Sequence, residues 1–185
     1  INWIRVYNSL HNLSPEERLE SKRKRQINRS FKYGVTLQEA QTEEDKKTFL
    51  QLLKLHYSSK LRKHFPDTKL FQLLTQGSTT GNISRIFTVK YKNRIIGGSF
   101  CMYSCDRAYL CFSFGLRKTF AWLHPNTMAI WAALIDANQR GYTHFEFIDA
   151  GLPFQKVGYR NFILSFGGKQ VSTRRWFRFR WEWTN

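Results

Sequence analysis

The chain has 185 residues, 42% of them hydrophobic and 16% aromatic, with 16 Phe, 8 Tyr and 6 Trp. That length fits one ordinary domain burying roughly 70% of its unfolded surface, and the composition excludes both a disordered chain and a disulfide-stapled miniprotein. Lys and Arg number 30 against 13 Asp and Glu, a net charge of +17, whose long-range field attracts nucleic acid, anionic lipid headgroups or phosphorylated substrates.

Thr119 to Ile135 lacks Lys, Arg, Asp and Glu, but His124-Pro125-Asn126 interrupts it and it is too short to span a bilayer. No charged segment followed by an apolar core and a cleavage site is present, and the cysteines (Cys101, Cys105, Cys111) are odd in number. These features predict a cytoplasmic setting. The chain starts at Ile1 and its first methionine is Met102, so a piece of a longer polypeptide is expected.

Ile1 to Tyr7 is rich in β-formers and predicts a short strand whose partner lies outside the chain. Ser14-Pro15-Glu16-Glu17 combines an N-cap serine, proline at the first helical position and Glu three residues after the cap, predicting a helix that runs to about Tyr33. Gly34 ends it and Val35 to Ala40 resumes as a strand. Thr42-Glu43-Glu44-Asp45 opens a second helix, with Phe49, Leu52, Leu53 and Leu55 or His56 at helical spacing. A third, shorter helix follows Pro66-Asp67 and ends near Gly77, and Gln76 to Asn82 is a polar turn. Ile83 to Tyr91, Arg94 to Tyr103 and Arg107 to Phe114 read as three successive strands with tight hairpins at Asn93 and at Ser104-Cys105-Asp106. Asn126 to Arg140 is a nearly all-apolar helix closed by Gly141, which must be covered on most sides. Thr143 to Ile148 is a strand, Gln155 to Ser165 a short helix, and Val171 to Trp183 a long final strand. This order predicts an α/β (mixed α+β) domain, a mostly antiparallel mixed sheet with helices on both faces.

Several segments resemble the Fem-type branch of the GNAT superfamily of N-acyltransferases. They are the basic helix Lys24 to Lys32 followed by Gly34-Val35, the hairpin Arg94-Ile95-Ile96-Gly97-Gly98-Ser99 with Ala108-Tyr109-Leu110, and Gly141-Tyr142, Phe145-Glu146-Phe147, Asp149-Ala150-Gly151 and Asn161-Phe162 before Ser165-Phe166-Gly167-Gly168. The resemblance covers roughly residues 22 to 175. It implies a GNAT-like fold for residues 22–185, with residues 1–21 the tail of a preceding repeat and an N-terminal repeat missing. It also implies transfer of an acyl or aminoacyl group to an amine, with a role in cell-wall (peptidoglycan) precursor synthesis. Two positions depart from the pattern. Gly115-Leu116-Arg117-Lys118-Thr119-Phe120 stands where a CoA-binding relative carries its glycine-rich pyrophosphate loop, and Phe162-Ile163 stands where the branch has Phe-Lys, its lysine placed in the transferase site. Acyl-CoA lacks its usual phosphate signature here, and aminoacyl-tRNA is the other donor the branch implies.

In that scheme the strands Ala108 to Phe114 and Thr143 to Asp149 splay apart and the donor's acyl arm lies between them. Backbone groups at Phe112, Ser113 and Phe114 hold the arm, while Arg117, Lys118 and the helix beginning at Asn126 face its phosphates. His124, just before that helix, offers a neutral imidazole to a carbonyl or phosphate, although capping by Asn126 explains the segment equally well. Asp149, at the carboxyl end of a strand, is either a general base for the attacking amine or a cap of the Asp149-Ala150-Gly151 turn. Tyr159 either donates a proton to the leaving group or packs with its hydroxyl at the rim. Lys22, Arg25, Arg29 and Lys32 form one cationic stripe on a helix, a phosphate-backbone contact or a solvated face. Arg174, Arg175, Arg178 and Arg180 alternate with Trp176, Phe177, Phe179 and Trp181, which spells either a stacking platform or a half-buried strand. The histidines and cysteines form no ligand spacing, so no metal is expected. The expected partners are anionic: tRNA, a phosphorylated precursor or CoA. Two rival readings stand beside transfer. One is a catalytically inactive module of this fold that binds RNA or another anionic polymer. The other is a peripheral enzyme held to anionic membrane.

Overall fold

The computed structural model describes residues 2–11, 13–61, 65, 67, 69–71, 83–148, 150–151 and 158–174. Seven strands form one sheet in the order β2-β3-β4-β5-β6-β1-β7. They are β1 (Asn2–Ser9), β2 (Thr36–Glu39), β3 (Ser84–Tyr91), β4 (Arg94–Ser104), β5 (Arg107–Gly115), β6 (His144–Phe147) and β7 (Lys169–Arg174). Every neighbouring pair is antiparallel except β5 and β6.

The meander β3-β4-β5 follows from alternation of side chains and from two turns that demand left-handed backbone. Lys92 and Asn93 (φ 49° and 61°) and Cys105 (φ 50°) supply it. α1 (Pro15–Arg18), α2 (Ser21–Lys32), α3 (Glu43–Leu55), α4 (Pro125–Gln139) and α5 (Gly158–Leu164) pack around the sheet. On one face α4 crosses β3, β4 and β5 with α2 beside it, and ten of its residues, from Pro125 to Ala137, are buried. On the other face Phe49 and Leu53 of α3 meet Ile86, Phe100 and Phe114. The adjacent glycines of β4 admit both layers: a Cβ at Gly97 would lie 3.1 Å from Pro125 O, and one at Gly98 would lie 2.9 Å from the Phe49 ring. Among the described residues no helix is long and apolar enough to cross a membrane.

Two expectations need correction. The strand at the N-terminus has both its partners within this chain, β6 on one edge and β7 on the other, so it lies inside the sheet. The single helix expected from Ser14 to Tyr33 is two. Ser14 and Glu17 form a capping box for α1, but Leu19 turns extended (ψ 135°) and packs against the core while the Glu20 N–H bonds Ser165 O at 3.1 Å. Tertiary contacts thus outweigh helix propensity at that point. α3 continues into a π-helical turn over His56–Leu61, short of Pro66 where the sequence places the break. Most of the expected third helix, the turn 76–82 and the final strand beyond Arg174, including Arg175, Arg178 and Arg180, lie outside the described residues.

Candidate donor site

The site forms where the sheet opens. β5 and β6 pair in parallel from Arg107↔His144 to Leu110↔Phe147, and beyond that point β5 runs on to Gly115 paired with β4 alone among the described residues. A bulge marks the parting: Phe100 faces Phe112 while Cys101 faces Leu110, leaving Cys111 as the extra residue. The backbone of Phe112, Ser113 and Phe114 lies on the stretch of β5 beyond its pairing with β6. Phe112 and Phe114 direct their rings into the layer against α3.

At the head of this opening lies a cleft of about 480 Å³ at the N-terminus of α4. Five of the residues singled out in the sequence meet there: Lys22, Arg117, His124, Asn126 and Tyr159. Lys118 is exposed, and of the cationic stripe only Lys22 lines the cleft, although the charge of Arg29 acts on His124 there. Asp149 lies outside the described residues. Its neighbour Ala150 is buried, and the Ala150 carbonyl accepts a hydrogen bond from Arg160 Nε at 2.9 Å.

Sequence reasoning missed the residues that organise the cleft. Arg23 donates from Nε to Ser165 Oγ and from Nη1 to Gln26 Oε1, both at 2.6 Å, and its guanidinium lies 4.6 Å from the Phe162 ring centroid. Gln26 is fixed in turn by Thr127 Oγ1 at 3.3 Å. Arg23 is thus held by neutral partners, and burial lowers its pKa against a weaker pull from Glu20. An arginine stays charged even so. Three cations (Lys22, Arg23, Arg117) and no carboxylate line the cleft among the described residues, with Glu20 acting on Arg23 from outside the lining. The available signal was the three-residue spacing of Arg23 and Gln26, which places both beside Lys22 on α2.

His124 precedes α4 in left-handed conformation (φ 46°, ψ 50°), with Pro125 in the first turn. Burial, then Arg29 and then Arg23, push its pKa below the ordinary imidazole value, so the ring is neutral at neutral pH. The Ser30 hydroxyl donates to Leu123 O at 2.8 Å and ties α2 to the 3₁₀ turn Ala121–Leu123 that leads into α4. Asn126 packs so tightly on Gly115 that a Cβ there would lie 2.6 Å from the Asn126 backbone nitrogen. The segment 115–120 is a turn closed by Arg117 N–H to Gly115 O (2.8 Å) and Phe120 N–H to Leu116 O (3.0 Å). Ile163 is fully buried in the core and places no charge in the cleft.

A seven-stranded mixed sheet that parts beside the N-terminus of a buried central helix is the architecture of the GNAT acyltransferases. A family profile described as "Acetyltransferase (GNAT) domain" matches residues 19–156, about three quarters of the chain, and the chain belongs to that family. Among solved structures it is similar to FemX, at 13% identity and TM-score 0.74, covering 90% of this chain and 59% of that one. It is also similar to the C-terminal domain of a putative lysylphosphatidylglycerol synthetase from Agrobacterium fabrum (11%, TM-score 0.66, 92% and 58%). A third is L-PGS from Bacillus licheniformis (14%, TM-score 0.60, 93% and 60%). At these identities the likeness is one of fold, and the chain spans about three fifths of the length of these structures. No curated protein matches in sequence.

Proposed function

We propose that the chain carries the donor-binding unit of a Fem-like N-acyl or aminoacyl transferase. The observation that carries this reading is the cationic cleft, lined among the described residues by Lys22, Arg23 and Arg117 and by no carboxylate, near the end of the β5–β6 pairing. An anionic donor places its phosphates there, against the side-chain cations and the first amides of α4. Its acyl arm runs along the open edge of residues 112–114. The amine attacks the carbonyl, the new C–N bond forms, and the bond to the leaving group breaks. Most of the acceleration comes from positioning. Asp149 takes the proton from the amine and Tyr159, in the cleft, supplies one to the leaving group. The donor is acyl-CoA or an aminoacyl-tRNA, the acceptor amine belongs to a cell-wall precursor, and the setting is cytoplasmic, which the three free cysteines fit.

The test is mass-spectrometric detection of an N-acylated amine after incubation with acetyl-CoA or aminoacyl-tRNA. Turnover should fall in Asp149→Asn while folding is spared, and unchanged turnover removes Asp149 from the scheme. One observation favours the second reading, an inactive module that binds RNA: buried Ile163 leaves the cleft without the lysine that the Fem-type resemblance implies. Salt-sensitive RNA binding with no transfer from either donor decides for that reading.

A further inference from the structure

The outward side of α2 is a second charged surface. Ile27 and Ser30 turn inward and are buried. At helical spacing Arg25, Asn28 and Lys32 fall opposite them, all exposed. Lys24 and Phe31, seven residues apart, lie on one flank, and Lys22, Arg29 and the capping residue Tyr33 lie on the other. Five exposed cations thus share a helix that runs about 16 Å from Lys22 to Tyr33. Residues 21–34 contain no Asp or Glu, and among the described residues none of the five forms an ion pair. The acids nearest in the chain, Glu17 and Glu20, lie at the N-terminal end of the helix, where they act on Lys24 and Arg23.

Three large rings stand among these charges. Phe31 is 44%, Tyr33 48% and Trp122 38% exposed, and none of the three belongs to either hydrophobic core. Trp122 stands edge-on to Tyr33 at 5.1 Å, and Arg29 lies over the Tyr33 ring at 5.7 Å. Exposed rings rimmed by polar residues mark a surface that meets a partner. The shape of this one says which. The back of a helix is convex and offers no basic groove in which a strand could lay its bases in series. An acidic protein would match the charge, but lysine is depleted from protein interfaces. A flat anionic plane meets the whole outward side at once, its phosphates against the Lys and Arg heads and the rings of both flanks at headgroup level.

We infer that the outward side of α2, with Phe31, Tyr33 and Trp122, docks the protein on a bilayer surface rich in anionic phospholipid. Lys22 and Gln26 line the cleft from one flank of the same helix, so the cleft opens along the edge of the contact. The inference does not depend on what occupies the cleft. The test is cosedimentation with vesicles of phosphatidylcholine alone and of equal parts phosphatidylcholine and phosphatidylglycerol, at low and high salt. The wild-type chain binds only the anionic vesicles, and salt weakens the binding. The triple variant Lys24→Gln, Arg25→Gln, Lys32→Gln lowers the partition coefficient about a hundredfold, about fivefold per charge. Phe31→Ala and Trp122→Ala each lower it severalfold. Phe31→Trp, which keeps a ring at the interface, retains binding and excludes misfolding as the cause of the loss. Absence of wild-type binding to the anionic vesicles overturns the inference, and so does equal binding to the neutral ones. Wild-type partition in both the triple variant and Phe31→Ala overturns it as well, since the contact then lies elsewhere. So does loss of oligouridylate RNA binding in these variants with vesicle binding intact, which would make the helix a nucleic-acid face.

Discussion

Gly115→Ala tests whether the end of β5 sets the geometry of the cleft. An alanine Cβ would sit 2.6 Å from the backbone nitrogen of Asn126, about 0.8 Å inside the 3.4 Å at which ordinary van der Waals contact begins, and closer still to Asn126 Oδ1. The obstructing atoms include backbone in the first turn of α4, so relief requires the helix start to move rather than a side chain to rotate. Overpacking of this kind costs about 1–3 kcal/mol. For a domain of this length that lowers the melting temperature by about 2–4 °C per kcal/mol. The retreat displaces Asn126 and the amides behind it by nearly 1 Å, an error that costs about a hundredfold where groups must be positioned for reaction. Gly34→Ala is the control. Gly34 ends α2 at φ +82° with nothing within 4 Å of its absent Cβ, so it incurs only the left-handed penalty of about 1–2 kcal/mol. Thermal denaturation followed by circular dichroism, with calorimetric titration of pyrophosphate and acetyl-CoA, distinguishes them. Both variants should melt earlier, and only Gly115→Ala should lose binding. Wild-type affinity in Gly115→Ala would refute the claim that this contact sets the cleft.

Three further outcomes follow from the same contacts. Arg23→Gln should weaken pyrophosphate binding at least tenfold, because it removes a charge-assisted bond from a partly buried site; calorimetry at constant salt checks this, and an unchanged isotherm removes Arg23 from the anion site. His124 should titrate below its ordinary value in NMR spectra, and an anion in the cleft should raise it toward or past that value. Because the folded pKa is depressed, the folded state binds fewer protons than the unfolded chain near pH 6.5, so stability contributed by neutral His124 is complete above that pH and falls as the pH drops toward the folded value. Stability that rises on acidification through that window would contradict the assignment. Asn8→Ala should cost about 1–3 kcal/mol in urea denaturation, since the buried Asn8 Nδ2 donates to Phe166 O at 2.7 Å and truncation strands that carbonyl.

The sheet meander, the caps at Thr42 and Gly34, and the apolar helix between His124 and Gly141 were legible because each rests on a local rule. Alternation, an N-cap hydroxyl or a left-handed glycine acts within a few residues. The break at Leu19 was not legible, since its causes are Ser165 O and core contacts some 146 residues away along the chain. The placement of β1 was hidden for the same reason: nothing within Asn2–Ser9 says that β6 and β7 will flank it. The site divides similarly. Lys22, Arg117, His124, Asn126 and Tyr159 were found from position relative to elements. Arg23 falls outside the regular basic spacing of Lys22, Arg25, Arg29 and Lys32, of which only Lys22 lines the cleft. Trp122 was hidden within a long apolar run, where a tryptophan reads as core, yet the 3₁₀ turn sends it outward while Leu123 beside it is buried.

The central claim is that an anionic acyl donor occupies the cleft at the start of α4. Hydrogen-exchange mass spectrometry of the chain with acetyl-CoA, and separately with aminoacyl-tRNA, tests it most directly. The account predicts that at least one donor slows exchange in residues 22–29 and 115–127 together, and that Arg23→Gln abolishes the effect. Protection confined to other segments, or none with either donor, would contradict it.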